Sequence, residues 1–102
     1  MQNKVLSLMG IATKAGKTVS GEFSVEKAVK EGRAVLVIVS TEASNNTKKM
    51  FTNMCTFYEV PLYFIGTKDE LGMATGKAMR ASVAILDEGL AKALEKQIKS
   101  EV

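Results

Sequence analysis

The run AVLVIVS, from Ala34 to Ser40, constrains the fold more than any other stretch of the chain. Six consecutive aliphatic residues are far short of the ~20 needed to cross a bilayer. They are also too uniformly apolar for a strand with one wet face, so they predict a strand buried on both faces. Such a strand needs helices above and below its sheet. The flanking sequence supplies them. Before the run, Val5, Leu8, Met9 and Ala12 recur at helical spacing, which predicts a first helix from about Asn3 to Ala15 that stops at Gly16. TVS follows as a brief strand or loop. A second helix is then expected, with Ser20 as N-cap, Glu22 in the first turn, and Val25, Ala28 and Val29 as its buried stripe before Gly32.

After the run, SNNTKKMFTNMCTFY reads as a helix with Met50, Phe51, Met54, Cys55 and Tyr58 on its inner face. Pro61 resets the chain, and LYFI makes another strand. Thr67 and Glu70 form a capping box for a short helix carrying Leu71, Ala74 and Ala78. Gly72 and Gly76 lie four apart on it, where a face without side chains admits close approach of a neighbour. SVAIL is the last strand, and Asp87 caps a final helix with Leu90, Leu94 and Ile98 inward. The expected fold is α/β, a sandwich with helices on both faces of a small sheet.

With 102 residues, one domain spanning 1–102 is expected, and the single cysteine and the absence of histidine leave an ordinary zinc site without its ligands. One cysteine also fits a reducing compartment, so a cytoplasmic protein is expected, with no membrane segment. GIATKAGKT imitates a phosphate loop, but five residues rather than four separate Gly10 from Gly16, and Gly10 falls inside a helix. Cys55 has no histidine to activate it and reads as a core residue. The carboxylates are scattered among lysines in the manner of solvated helix faces. No enzyme activity, metal, cofactor or small-molecule substrate is expected.

The net charge of +3 permits nucleic-acid binding without requiring it, so its distribution matters more. Lys14, Lys17, Lys27, Lys30 and Arg33 fall in one stretch, while GKAMRAS adds Lys77 and Arg80 with no acid beside them. The backbone amides of Gly21 and Glu22, with Ser24 and Lys27 one turn apart, then form either an anion-binding surface or simply a capped helix with exposed lysines.

The frame AxKxGKxxxGxxxxxKAVxxG, from Ala12 to Gly32, resembles the start of the L7Ae ribosomal-protein family, whose members bind kink-turn RNA. LGMATG from Leu71, followed by KAMRASVAI, resembles that family's second signature. VSGE, NTKK and VPxxxxGTKxELG are similar to its small bacterial YlxQ branch. The resemblance implies a three-layer α/β/α sandwich with a mixed four-stranded sheet, and a partner in structured RNA, with ribosomal RNA and the ribosome itself among the candidates. It also implies that the start of the second helix enters the RNA at sheared G·A pairs while the loop before the last strand covers an extruded base. By position, Gly21 would allow close approach and Lys27 would contact RNA. Lys77 to Ser82 would form the covering loop, with Met79 and Ala81 against the base and Arg80 on phosphate or stacked. Lys14 and Lys17 would hold the backbone. The chain departs from the pattern at Phe23 and Ser24, where archaeal kink-turn readers carry Asn-Glu. Phe23 either stacks on a base or serves as a staple or core contact. A protein-interaction scaffold that kept the fold without RNA specificity is the other reading.

Overall fold

In the computed structural model, which describes residues 3–100, helices and strands alternate along the chain. Their order is α1 (Asn3–Lys14), β1 (Thr18–Ser20), α2 (Glu22–Lys30), β2 (Leu36–Val39), α3 (Asn45–Tyr58), β3 (Leu62–Phe64), α4 (Lys68–Ala74), β4 (Ser82–Ile85) and α5 (Glu88–Ser100). The strands form one four-stranded sheet in the order β1-β4-β2-β3. β2 and β3 are parallel, while β4 runs antiparallel to both β1 and β2, so the sheet is mixed.

Every residue of β2 is buried. The period-2 alternation of a strand divides them: Val37 and Val39 pack toward α2 and α3, with Val25, Val29, Phe51 and Met54. Leu36 and Ile38 pack the other way, against Val5, Met9, Leu71, Leu94 and Ile98 of α1, α4 and α5. The result is the expected three-layer α/β/α sandwich. An uninterrupted aliphatic run was needed because this strand has no solvent face.

Several helix boundaries follow local chemistry. Ser44 caps α3 by accepting from the Thr47 amide at 3.1 Å. Thr67 and Glu70 complete a reciprocal capping box on α4, with bonds of 3.1 and 2.9 Å. Asp87 accepts from the Leu90 amide at 2.9 Å at the start of α5.

Three expectations need correction. Ser20 is the last residue of β1, and the N-cap of α2 is Gly21. α4 stops at Ala74, so Gly76 and Ala78 lie beyond it: the Thr75 hydroxyl donates back to the Leu71 and Gly72 carbonyls, and Gly76 turns the chain with φ 70°. Tyr58 is 40% exposed at the end of α3, because the chain leaves the helix there through Glu59, with φ 57°. The close approach expected at Gly72 does occur, and its neighbour is the segment that follows the helix: a β-carbon there would lie 2.6 Å from the Ala78 carbonyl carbon.

Candidate nucleic-acid interface

The β1–β4 ladder runs one residue past the strand, since the Gly21 amide donates to the Ser82 carbonyl at 3.0 Å. The chain then turns from strand to helix with φ 94° and ψ 149° at Gly21, a region open essentially to glycine alone. That conformation replaces a side-chain cap, and α2 has none. The first intrahelical bond runs from the Val25 amide to the Gly21 carbonyl at 3.0 Å. The amides of Glu22, Phe23 and Ser24 therefore have no intrahelical acceptor and sit at the positive end of the helix dipole. The Gly21 amide, expected to be free, is committed to the sheet.

The segment between α4 and β4 is tied down along its length. The Lys77 amide donates to the Gly72 carbonyl at 2.8 Å and the Arg80 amide to the Lys68 carbonyl at 3.1 Å. Its far end is fixed by the Ser40 amide, which donates to the Ala81 carbonyl at 2.8 Å. The Arg80 guanidinium crosses to the helix start: Nε donates to Ser20 Oγ at 3.2 Å while Nη1 donates to the Met79 carbonyl at 3.0 Å. A β-carbon on Gly21 would be 4.0 Å from that Nε, so loop and helix start are in van der Waals contact range. Arg80 thus joins two segments sixty residues apart in sequence.

Side chains divide accordingly. Phe23 is 79% exposed, which excludes the staple or core contact and leaves its ring on the surface. Met79, 54% exposed, stands on the loop, whereas Ala81 packs against the α2/α3 side of the core. Lys27 is exposed one turn along α2, and Glu22 is exposed at its first position. Ser24 turns instead toward a polar basin of about 480 Å³, lined also by Thr18, Ser20, Thr75, Lys77 and Arg80. This hydroxyl-rich basin is absent from the sequence reading. Its signal was the alternation in TVS, which places Thr18 and Ser20 on one face of β1.

Lys17 does not join this group. The Lys17 carbonyl accepts from the Leu86 amide at 2.8 Å, beside the opposite end of β4 from Ser82. Four residues of extended chain put it roughly 13 Å from Gly21 along β1. Lys14 closes α1 and lines a groove against Met73 and Gly76.

Ion pairing sorts the cations. Lys30 is held by Glu26 at 2.7 Å, which also raises its pKa through the hydrogen bond and then the charge, and Arg33 is held by Glu31 at 3.0 Å. Among the described residues, Lys27, Lys77 and Arg80 have no carboxylate partner. Lys27, Lys77 and Arg80, which lie at the helix start and on the loop, are thus among the cations left for an external anion.

Residues 3–95 match the Ribosomal protein L7Ae/L30e/S12e/Gadd45 family. RNA-binding protein YlxQ of Bacillus subtilis (strain 168) is 41% identical over 87 residues, covering 85% of this chain and 87% of that protein. Large ribosomal subunit protein eL8 of Thermoplasma volcanium is 30% identical, covering 100% of this chain and 85% of its own length. A solved structure from Bacillus halodurans C, of a protein with unknown function, superposes with a TM-score of 0.92 at 37% identity, covering 96% of this chain and 99% of that one.

Proposed function

The chain belongs to the Ribosomal protein L7Ae/L30e/S12e/Gadd45 family, and on that premise we propose that it is a non-catalytic RNA-binding protein of ribosomal type, acting as one domain over its whole length. Its partner is structured RNA with a kink-turn-like shape, in the cytoplasm and in association with the ribosome. The observation that carries the reading is the Arg80 bridge. It holds an uncapped, glycine-entered helix start against a clamped basic loop, so that amide donors, three unpaired cations and two exposed apolar side chains, Phe23 and Met79, share one edge. Amides and cations suit phosphate oxygens, whereas Phe23 and Met79 suit the faces of unstacked bases.

Phe23 and Ser24 cannot make the amide and carboxylate contacts that read sheared G·A pairs in the archaeal relatives of the family. Recognition on this edge therefore rests on shape, phosphate contacts and stacking. The non-catalytic reading is supported by Cys55, whose burial pushes its thiol up to about 11, and by the absence of histidine.

The test is affinity for a kink-turn RNA and for a plain duplex of equal length, each at 50 and 200 mM salt. If Lys27, Lys77 and Arg80 each neutralise one phosphate, affinity for the kink-turn falls roughly forty-fold across that range. Lys27→Ala, at an exposed position, should weaken binding and flatten the salt slope by about one contact while leaving the protein folded. Equal binding to kink-turn and duplex would remove the shape preference. Salt-independent binding would remove the phosphate mechanism.

A further inference from the structure

Beyond the helix start, the outer surface formed by α2 and α3 carries a second set of features that the edge described above does not use. α3 has two lysines and no acidic residue in its fourteen positions. A groove of about 540 Å³ lies between α2 and α3, lined by Lys30, Asn46, Lys49 and Asn53 and, on its apolar part, by side chains that include Met50 and Phe57. Glu26, the one carboxylate on it, is occupied by Lys30 at 2.7 Å. Phe57 is 78% exposed, and its ring is braced edge-on by Tyr58 at a centroid distance of 4.9 Å. A single exposed phenylalanine needs no explanation. Here it stands in an acid-free row of amide and ammonium side chains.

The groove is continuous with the helix start. A smaller hollow of about 290 Å³ along α2 is lined by Phe23, Lys27 and Glu31, the last paired with Arg33, and shares Glu26 and Lys30 with the larger groove. From Phe23 to Lys30 is about 10 Å along the helix axis. A surface path thus leads from one exposed phenylalanine, past Lys27 and Lys30, to a second one flanked by Lys49 and two asparagines. Aromatic faces for bases, amides for base edges and ammonium groups for phosphates are what an unpaired strand of RNA requires. An apolar protein helix could cover Met50 and Phe57 but would set Asn46, Lys49 and Asn53 against a surface that offers them no partner.

We propose that this groove binds a single-stranded RNA segment continuing from the structured RNA, with a base stacked on Phe57 and a phosphate on Lys49. The proposal rests on the RNA-binding reading above, and its test separates the two. The probes are a kink-turn RNA with and without an unpaired eight-nucleotide uridine tail, placed on either end of the strand. The chain has no tryptophan, so Phe57→Trp and Phe23→Trp each introduce a single indole whose emission a stacked base quenches.

The tail is expected to raise affinity about tenfold and to quench the Phe57→Trp variant, which the tailless RNA leaves unchanged. Phe57→Ala should abolish the gain from the tail while binding the tailless RNA like the unaltered protein. A tail without effect on affinity or on the Phe57→Trp emission, beside a Phe23→Trp emission that responds to the tailless RNA, overturns the groove and leaves the helix-start reading intact. The groove would then be free for a protein partner. Failure of both RNAs to bind overturns the parent reading and this one with it.

Discussion

Gly72→Ala tests whether the loop before β4 is held in place by close packing on α4. In the middle of a helix, alanine is favoured over glycine by about 1 kcal/mol, so propensity alone predicts a more stable protein. The structure predicts the reverse. A β-carbon at Gly72 would overlap the Ala78 carbonyl oxygen, lie 2.6 Å from its carbon and 3.1 Å from the Met79 Cα. These are backbone atoms, which cannot rotate away as a side-chain end would. Forcing them apart costs about 3 kcal/mol, the upper part of the range for overpacking. The 2.8 Å bond from the Lys77 amide to the Gly72 carbonyl would be lost as well, at about 1 kcal/mol. The net loss is about 3 kcal/mol, which lowers the melting temperature by roughly 15 °C. RNA affinity should fall in parallel at temperatures where the variant is still folded, because the displaced loop carries Met79 and Arg80. Gly10→Ala is the control: it is also helical, and the nearest atom to its β-carbon would be the Ala74 carbonyl oxygen at 4.0 Å. It should gain about 0.5–1 kcal/mol. Thermal melts by circular dichroism read both. A Gly72→Ala protein melting at or above the unaltered one would refute the reasoning.

Two further outcomes are expected. Phe23→Ala, at a site 79% exposed, should change stability by less than about 0.5 kcal/mol and weaken binding to kink-turn RNA about tenfold, as read by titration; unchanged affinity would detach the ring from the interface. The Tyr63 hydroxyl donates to Glu95 at 2.7 Å, and that bond first, then burial, pushes its pKa up to about 12. Because the folded value is raised, this stabilisation is complete below pH 10 and is lost as pH climbs from there toward 12. Denaturant midpoints for the unaltered protein should therefore decline across that window more steeply than those of Tyr63→Phe, and parallel curves would exclude the contribution.

The layered fold was written in local signals. AVLVIV could only be a strand covered on both sides, and TKDE could cap α4 because Thr and Glu three apart reach each other's backbone amides without help from distant residues. The stripes of α2 and α3 likewise follow from spacing, since a helix presents every third or fourth residue to the same neighbour. Even the N-terminus of α2 was placed within a residue, although Gly21 rather than Ser20 serves as its cap.

The candidate site required the tertiary structure. Whether Phe23 is core or surface depends on what the folded chain lays over the start of α2, and the segment that reaches it, through the Arg80–Ser20 bond, is sixty residues away in sequence and leaves the ring uncovered. The same holds for the opening lysines: Lys17 and Gly21 are close in the chain, but an extended strand separates them, while Arg80 is brought to Gly21 by the pairing of β1 with β4. Which cations are free was also undecided, since Lys30 and Arg33 read no differently from Lys27 until Glu26 and Glu31 are seen beside them. Sequence alone determined the elements and their layers, because these arise from contacts a few residues apart and from the partition of apolar side chains. The folded structure decided the binding edge, because that edge is made where strands distant in sequence are hydrogen-bonded side by side.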